Sequence, residues 1–411
     1  MSRRVVVTGL GVVCPLGKDV PTFLAGLRGN DSAVRFMPEW DKIGDLKGRL
    51  GGNVDGLDLK KRYPRKKRRT MGRVALLATY ATEQAVEQAG LDAATLGNGR
   101  TGLAYGSTSP SNQAMEDFCG PLFTEHTMRG LDTTAYLKFM THTAAANLVQ
   151  YFGVCGRVIP TNSACTTASQ AIGYGYESIL SGRQDAMICG GAEEQHYATA
   201  VTFDLLMATS FRYNKQPSDS PRPFDKRRDG LVVAEGAATV VLESLEHAQA
   251  RGAEILAELV GFGTTCDGSH MMTANSRKGM RGAMQLALDD AGRTPDEVDY
   301  VSAHATATDV GDIEESHATR EVFERTVPIA SMKGTMGHTL GACGAIEVIA
   351  SIDMLREGWL GGTRNLEEVD PRCAELGYLR EPVMDATPRL IMSNNFAFGG
   401  VNTSLVLAKF D

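Results

Sequence analysis

Three residues with the chemistry of an active site lie far apart along the chain: one cysteine and two histidines. Cys165 lies in the segment VIPTNSACTTASQAI, between a predicted strand and a predicted helix. A thiol at the start of a helix meets unpaired backbone amides and the positive end of the helix dipole, which favour the thiolate and can also hold an oxyanion. The alternative is that Cys165 is one more small buried residue, and the local sequence leaves both interpretations open.

Each histidine lies in a loop that suits a functional site. His304 follows directly after a predicted strand in YVSAHATATDVGD, and α/β proteins place their sites at strand ends. His338 lies in SMKGTMGHTLGACGAIE, where glycines let the backbone approach a ligand closely before a helix begins. Taken singly, each histidine fits a structural role as well as a catalytic one.

Strand-like runs alternate with helical segments such as Val74–Ala89, which predicts an α/β protein with buried sheets. The proline-containing stretch Arg212–Arg228 is predicted to be a long surface loop. The segment AEILAELVGFGTT near residue 254 echoes the N-terminal RRVVVTGLGVV, so we predict a duplicated architecture with halves 1–250 and 251–411. The predicted strands are Val5–Thr8, Thr101–Tyr105, Val158–Thr161, Ala186–Cys189, Thr239–Leu242, Val298–Ala303 and Leu390–Ser393.

Composition excludes several classes of protein. A chain of 411 residues with 43% hydrophobic and 22% charged content is too long and too apolar to be disordered. Its net charge of −7 argues against a nucleic-acid binder, so any basic patch must be local. The 8 cysteines lack paired short spacings and are predicted to be thiols in a reducing compartment. Those predicted to be small buried residues are Cys14, Cys155, Cys189, Cys266, Cys343 and Cys373.

The N-terminal apolar run resembles an export signal only superficially. Gly9 and Gly11 interrupt it and no cleavage site follows, so it is predicted to be a buried strand entering a glycine turn. No apolar stretch approaches the roughly 18 residues that span a bilayer. We therefore expect a soluble, cytoplasmic protein that contacts no membrane.

Two further possibilities are rejected on sequence context. GNGRTG at 97–102 matches a dinucleotide-binding motif by letter, but a helix precedes it and a strand follows, the reverse of what that motif needs. No motif with metal-ligand spacing is present, so we predict no metal site.

Four motifs together resemble the β-ketoacyl-[acyl-carrier-protein] synthases, the elongating ketosynthases of the thiolase superfamily. The motifs are NSACTTASQ, SAHATATDVGD, SMKGTMGHTLGACGAIE and SNNFAFGGVNTSLVL, and VVVTGLGVVCPLG and PRPFDKRRDGLVVAEGAATVVLE also match. The similarity covers the whole chain and is greatest to synthase II. It implies a duplicated, thiolase-like five-layered α/β/α/β/α fold and a homodimer, or a heterodimer with an inactive relative.

The resemblance also implies a reaction, the decarboxylative condensation of an enzyme-bound acyl group with malonyl-[acyl-carrier-protein]. Cys165 would be the acyl-accepting nucleophile, because a thioester keeps the acyl group activated. His304 and His338 would donate to the enolate oxygen that forms when malonyl loses carbon dioxide. The amides of Cys165 and Phe398 would form a second oxyanion hole.

The remaining residues implied by the resemblance have supporting roles. Lys333 would be a charged residue near the histidine pair, positioned by Glu347 on the following helix. Phe396 and Phe398 resemble gating phenylalanines, with ordinary core packing as the rival interpretation. Acidic residues that would brace the first histidine loop, and two hydroxyls within it, are Asp312, Glu315, Thr306 and Thr308.

The sequence also departs from the family pattern. Ala305 and Ala397 replace usual glycines, and the added methyl groups restrict the backbone of both loops. The stretch GSTSPSN at 106–112, which includes Pro110, is more polar than the acyl-pocket segment of relatives. These differences predict an altered acyl preference.

A basic run at 60–69, KKRYPRKKRR, lies within an otherwise acidic protein. Such a patch would steer an acidic acyl carrier protein, which delivers substrate on a phosphopantetheine arm, so no tightly bound cofactor is expected. A nucleic-acid tract and a merely solvated face are the competing interpretations. The predicted docking residues are Arg65, Lys66, Lys67, Arg68 and Arg69.

Rival functions within the superfamily are weighed by the same residues. A thiolase would need a second cysteine within 394–402, and an initiating synthase would pair the nucleophile with histidine and asparagine. A non-catalytic chain-length factor lacks the nucleophile that Cys165 supplies. A ketosynthase from a type II polyketide or aryl-polyene pathway shares all of this chemistry and stays open.

Overall fold

Most of the strands of the protein belong to one large sheet. A computed structural model describes residues 3–109, 111–268 and 276–411, so Pro110 lies outside the described residues. The strands are β1 (Val5–Val13), β2 (Arg35–Phe36), β3 (Leu50–Gly52), β4 (Thr101–Gly106), β5 (Val158–Thr161), β6 (Ala186–Glu193), β7 (Val233–Ala234), β8 (Gly236–Ser244), β9 (Ala257–Cys266), β10 (Tyr300–Ser302), β11 (Pro328–Ala330), β12 (Gly377–Tyr378), β13 (Leu390–Ala397) and β14 (Val401–Ala408).

Helices connect and cover these strands. Several of them end at a glycine in the left-handed conformation, as Gly90 does after the helix Arg73–Ala89 and Gly358 after the helix Cys343–Glu357. The helices are α1 (Val20–Arg28), α2 (Leu59–Arg62), α3 (Arg65–Arg68), α4 (Arg73–Ala89), α5 (Ala93–Leu96), α6 (Asn112–Glu125), α7 (Tyr136–Phe139), α8 (Thr143–Phe152), α9 (Thr167–Leu180), α10 (Tyr197–Leu205), α11 (Leu245–Ala250), α12 (Arg277–Ala291), α13 (Asp309–Phe323), α14 (Lys333–Met336) and α15 (Cys343–Glu357).

The strand order repeats between the two halves of the chain. The 11-stranded sheet runs β12-β11-β10-β13-β14-β9-β1-β8-β6-β4-β5. In the first half β5, β4 and β6 pair in parallel, then β8 and β1 continue antiparallel. In the second half β11, β10 and β13 pair in parallel, then β14 and β9 continue antiparallel. A short β1–β9 pairing joins the halves, while the domain boundary near residue 250 stays a prediction.

Helices form three layers around the two halves of the sheet. α4 and α8 pack on the outer face of the first half, and α12 and α13 pack on the outer face of the second. α9 and α15 lie between the halves and contact each other within the largest apolar cluster. The predicted five-layered α/β/α/β/α fold is therefore confirmed. The two central helices follow the segments of Cys165 and His338, which places both segments at the centre of the molecule.

Two local predictions were wrong in instructive ways. β1 does not end at a glycine turn but continues, fully buried, to Val13. A Cβ on Gly9 would lie 2.1 Å from the Ala85 carbonyl oxygen, so the glycine serves close packing of α4 rather than a turn. The predicted surface loop 212–228 is buried from 220 to 225, where Phe224 and Asp225 have no exposed surface.

Within the described residues, no helix is long and apolar enough to cross a bilayer.

Candidate active site

Cys165 lies in a short 3₁₀ turn, Ala164–Thr166, that leads directly into α9. Local hydrogen bonds fix this turn: the Ser163 amide donates to the Thr167 hydroxyl at 3.0 Å, and Thr166 Oγ1 donates to the Ser163 carbonyl at 2.7 Å. Ala164 has a φ of +50°, a conformation that costs energy for a residue with a side chain. The segment therefore holds the thiol at a fixed, sharply turned position at the start of the helix.

The structure brings the three predicted chemical groups together. His338 Nε2 lies 3.0 Å from Cys165 Sγ, and the imidazole rings of His304 and His338 lie edge to face with centroids 5.1 Å apart. The ligand atoms of all three side chains lie within 4.8 Å of one another. All three residues are buried, so a thiol and two imidazoles share one environment that excludes bulk water.

Backbone amides favour the Cys165 thiolate, as the sequence predicted, but burial outweighs them. The pKa of the Cys165 thiol is raised to about 12; burial is the largest cause, and the charge of Glu193 acts in the same direction. The charge of Lys333 and the backbone N–H groups of Cys165 and Phe398 lower the pKa, but by less than burial raises it. Cys165 is therefore a neutral thiol at rest, and it needs a nearby base at the moment of attack.

Both histidines are neutral at physiological pH. Burial lowers the pKa of His304 and of His338 well below the usual value, and the positive charge of Lys333 lowers both further. Lys333 itself is buried and pairs with Glu347, whose other oxygen accepts from Asn395 Nδ2 at 2.6 Å. The lysine charge thus reaches the imidazoles through space and keeps them in the form that can both donate and accept.

Buried carboxylates hold the His304 loop from the following helix. Glu315 accepts from the backbone amides of His304 at 2.8 Å and Ala305 at 2.7 Å. Asp312 accepts from the amides of Ala307 at 3.1 Å and Phe224 at 2.8 Å. Both acidic residues therefore lie where a brace for the loop is needed.

The two hydroxyls of this loop and one arginine complete its surroundings. Thr306 and Thr308 line the cavity, with their hydroxyl oxygens 3.1 Å apart. Arg228, which sequence analysis missed, donates to the carbonyls of Thr308 at 3.0 Å and Asp309 at 2.7 Å. Arg228 lies in the segment PRPFDKRRDG, which was predicted to be part of an exposed loop, so the sequence did not point to a role for it.

His338 is held by backbone hydrogen bonds. Its amide donates to the Val232 carbonyl at 2.7 Å, and its carbonyl accepts from the Ala234 amide at 2.9 Å. Gly337, just before it, has a φ of +85°, and a Cβ there would lie 2.8 Å from the Val232 oxygen. The turn therefore requires glycine at this position.

A cavity of about 40 Å³ opens above the three groups. Phe396 lies at the end of β13, and its ring centroid is 6.2 Å from that of His304. The ring centroid of Phe398 lies 6.0 Å from that of Phe203. Met280 from α12 and Leu231 complete the wall, and neither was predicted because nothing in their local sequence distinguishes them from core residues. The cavity is too small for a long ligand unless some of its wall moves.

The thiol and the two imidazoles could by distance alone ligate a metal ion such as zinc. Metal-bound histidines almost always donate their second ring nitrogen to an acceptor. Within the described residues, Nδ1 of His304 and Nδ1 of His338 are buried and have no hydrogen-bond partner. The donor set therefore fits a metal poorly, and the absence of a metal stays a prediction.

The other cysteines divide by burial. Cys14, Cys189 and Cys343 are buried as expected, whereas Cys155 and Cys266 are exposed and the prediction for them was wrong. Cys343 was treated as filler, yet its thiol donates to the Cys165 carbonyl at 3.3 Å. A second thiol therefore lies beside the nucleophile, a neighbour that chain position alone could not reveal.

The basic run forms two short helices, α2 and α3, on the surface. Arg65, Lys66, Lys67 and Arg69 are exposed, whereas Arg68 is half-buried and its Nε donates to the Tyr63 carbonyl at 3.2 Å. Lys67 lies over the Tyr151 ring. Four of the five predicted docking residues thus present charge to solvent, and Arg68 also has a structural contact.

Comparison with known families identifies both halves of the chain. Residues 2–248 match the family described as Beta-ketoacyl synthase, N-terminal domain, and residues 256–367 match Beta-ketoacyl synthase, C-terminal domain. The chain is 37% identical to 3-oxoacyl-[acyl-carrier-protein] synthase 1 of Escherichia coli (strain K12), over 99% of both chains. It is 33% identical to synthase 2 of Synechocystis sp., covering 100% of this chain and 99% of that protein.

Solved structures give the same result over the full length of each chain. A Beta-ketoacyl synthase from Burkholderia phymatum superposes with a TM-score of 0.95 at 47% identity. The ishigamide ketosynthase/chain length factor superposes with a TM-score of 0.91 at 30% identity. A type II PKS acyl-carrier protein in complex with its ketosynthase provides a chain with a TM-score of 0.90 at 29% identity. Each match covers 100% of both chains.

Proposed function

Because the chain belongs to the beta-ketoacyl synthase family and is an acyltransferase, we propose that it condenses an acyl group held on Cys165 with malonyl-[acyl-carrier-protein]. Carbon dioxide leaves, and the product is a 3-oxoacyl-[acyl-carrier-protein] of fatty acid elongation. The observation that supports this reaction most strongly is the convergence of Cys165, His304 and His338 within 4.8 Å.

The first step moves the acyl group onto the enzyme. His338 Nε2, 3.0 Å from the thiol, accepts the Cys165 proton as the sulfur attacks the incoming thioester. The amides of Cys165 and Phe398 face the sulfur and stabilise the oxyanion of the tetrahedral adduct. The pantetheine thiol leaves and takes the proton back from His338, which restores the neutral imidazole.

The second step uses both imidazoles as donors. In this step the single N–H of each neutral imidazole lies on the nitrogen that faces the malonyl thioester carbonyl, so His338 changes tautomer after acyl transfer. The carbonyl accepts hydrogen bonds from both imidazoles, carbon dioxide leaves, and the enolate oxygen keeps both bonds. The enolate carbon then attacks the carbonyl carbon of the acyl thioester, the carbon–sulfur bond breaks, and Cys165 leaves as a thiolate. One proton from solvent neutralises this thiolate and balances the negative charge that the malonyl carboxylate brought in. Lys333, paired with Glu347, supports this step by keeping the imidazoles neutral.

Access to the cavity depends on the phenylalanines. Phe398 precedes two glycines in the left-handed region, Gly399 and Gly400, so its turn can change conformation without a side-chain penalty. We propose that Phe396 and Phe398 move to admit the acyl chain, because the cavity of about 40 Å³ cannot hold it. No tightly bound cofactor takes part, since substrate arrives on the phosphopantetheine arm.

An acyl carrier protein is the proposed partner, as in the polyketide complex whose ketosynthase chain superposes on this one. The exposed residues of α2 and α3 supply the basic docking patch. Reversing Lys66, Lys67 and Arg69 to Glu should raise the apparent KM for acyl-carrier substrates by about tenfold, because electrostatic steering is lost. Turnover of a free pantetheine thioester, which needs no docking, serves as the control. An unchanged KM for the carrier substrate would remove the patch from the proposal.

We also propose that the chain forms a dimer along β5. This strand is the last of the sheet, and its Val158 side chain is 41% exposed. Edge strands with exposed apolar residues are sites of pairing between chains. Exposed apolar residues of the preceding segment are Phe123, Met128, Tyr136 and Met140. Light scattering on the purified chain measures whether it pairs with itself or needs an inactive relative.

A second candidate is a ketosynthase subunit of a type II polyketide or aryl-polyene pathway. The polyketide and chain-length-factor structures that superpose on this chain favour it. A non-catalytic chain-length-factor role is opposed by Cys165 beside its histidines. Within the first candidate function, we propose that the chain is a synthase II and not a synthase 1.

The test is condensation by the purified protein. It is incubated with malonyl-[acyl-carrier-protein] and carrier thioesters of graded length and unsaturation, and the carrier arms are analysed by mass spectrometry. We expect products two carbons longer, and the preferred length and unsaturation separate fatty acid from polyketide or polyene substrates. If no thioester of the panel is extended, the proposed function is wrong.

A further inference from the structure

A buried carboxylate outside the sequence motifs joins two loops of the active site. Glu193 is the last residue of β6 and is 1% exposed. It belongs to none of the sequence motifs described above. Its oxygens accept from the amides of Thr108 at 2.9 Å, Ser109 at 3.2 Å and Gly341 at 3.1 Å. One carboxylate therefore connects the loop after β4 with the turn that begins just after His338.

The Gly341 turn needs this carboxylate. Its amide lies in the first turn of a 3₁₀ segment, where no carbonyl of the same helix accepts from it, and Glu193 supplies the acceptor. The fit is tight, because a Cβ on Gly341 would lie 2.7 Å from the Thr108 amide nitrogen. Charge-assisted hydrogen bonds of this kind offset the cost of burying a carboxylate.

His338 is thus held from two sides. Val232 binds its backbone on one side, and Glu193 binds Gly341, three residues further along, on the other. The position of the imidazole relative to Cys165 depends on both anchors. Of the two, only Glu193 is a side chain and can be changed by substitution without breaking a strand.

We propose that Glu193 is a positioning residue for the condensation, which holds His338 Nε2 against Cys165 Sγ through the Gly341 turn. This inference rests on the proposed function for its catalytic meaning. A substitution that moves or removes the carboxyl group of Glu193 should lower the rate of proton transfer between the Cys165 thiol and the His338 imidazole, with little effect on substrate binding.

Glu193 also affects the thiol through its charge, with the opposite sign. Its negative charge raises the pKa of Cys165, and burial raises the pKa of Glu193 itself to about 7. Removing that charge should lower the thiol pKa while the loss of positioning slows turnover. The other titratable or charged groups around the sulfur are Lys333, His304, His338 and Cys343.

Two substitutions separate the effect of the Glu193 side-chain length from the effect of its charge. Glu193→Gln keeps the size but removes the charge and turns an amide N–H toward backbone donors. Glu193→Asp keeps the charge but is one methylene too short to contact both loops. The matched control is Glu194→Gln, because Glu194 is equally buried and accepts from Ser111 and Gln113 without contacting the Gly341 turn in the described part of the chain.

The readouts are the rate of condensation, the KM for malonyl-[acyl-carrier-protein], and the pH dependence of Cys165 alkylation by iodoacetamide. We expect both Glu193 variants to lower kcat by about tenfold to a hundredfold with KM changed less than about threefold. Alkylation should shift to lower pH in Glu193→Gln and stay unshifted in Glu193→Asp. Glu194→Gln should change kcat by less than about threefold and leave the alkylation profile unchanged.

Wild-type kcat in Glu193→Asp, or equal losses in the Glu193 and Glu194 variants, would overturn the inference. If Glu193→Gln does not fold by circular dichroism, Glu193→Asp carries the kinetic test. Alkylation needs no acyl substrate, so it also separates the two proposals. If the wild type extends no thioester, the proposed function fails, and an unshifted alkylation profile in Glu193→Gln would additionally refute the contact between Glu193 and the thiol site.

Discussion

His304 and His338 face the same thiol, but the chain holds them by different means. The His304 loop is fixed by side chains, since Glu315 and Asp312 accept from four backbone amides around it. The His338 turn is fixed chiefly by the backbone, through hydrogen bonds to Val232 and Ala234. The His304 position is therefore sensitive to single substitutions that remove these hydrogen-bond acceptors, which should leave the His338 position intact.

The two histidines also differ in their contact with the Cys165 sulfur. His338 Nε2 contacts Cys165 Sγ at 3.0 Å, whereas the His304 ring contacts the His338 ring, with centroids 5.1 Å apart. We therefore propose that His338 serves both acyl transfer and decarboxylation, and that His304 serves decarboxylation alone.

Replacing each histidine by alanine should separate the two steps. His304→Ala should lower carbon dioxide release from malonyl-[acyl-carrier-protein] by about 10²- to 10⁴-fold and leave the rate of acyl-enzyme formation within about tenfold of wild type. His338→Ala should lower both rates, because it removes the base beside the thiol. Radiolabelled carbon dioxide and intact mass measure the two steps, and equal losses of both steps in both variants would contradict the division of roles.

Glu315→Gln should reproduce part of the His304→Ala effect. The amide of glutamine donates toward the His304 or Ala305 amide, so the loop shifts and carbon dioxide release falls by about tenfold to a hundredfold. Acyl-enzyme formation should stay near wild type. Glu314→Gln, one residue away and outside the loop contacts, is the control. Parallel loss of both steps would mean that Glu315 supports the whole site and not the His304 loop.

The smallest effect concerns stability against pH. Burial raises the pKa of the Glu315 carboxyl to about 8 in the folded protein, against an ordinary value of 4.5. The folded state therefore binds this proton more tightly, so the stabilisation is complete below pH 4.5 and is lost as the pH rises toward 8. The thermal midpoint of the wild type should fall across this window more steeply than that of Glu315→Gln. Identical slopes would show that the carboxyl titrates at its ordinary value.

Sequence predicted the elements of the site better than its physical state. Cys165 and the two histidines were found because each lies where a strand or a turn meets a helix, and the strand order now explains why those points converge. The raised pKa of Cys165 was not predicted, because helix-end amides can be read from sequence but the depth of burial cannot. Arg228, Cys343 and Glu193 were missed because their neighbours in space come from distant segments.

In the proposed reaction, the Cys165 sulfur carries the acyl group beside two neutral imidazoles. Incubation with an acyl-[acyl-carrier-protein] alone, followed by intact-mass analysis and peptide mapping, tests it directly. We predict one acyl group per chain on Cys165 in the wild type and in Cys343→Ala, which removes only the neighbouring buried thiol, and none in Cys165→Ala. An acyl adduct that persists in Cys165→Ala would contradict the account.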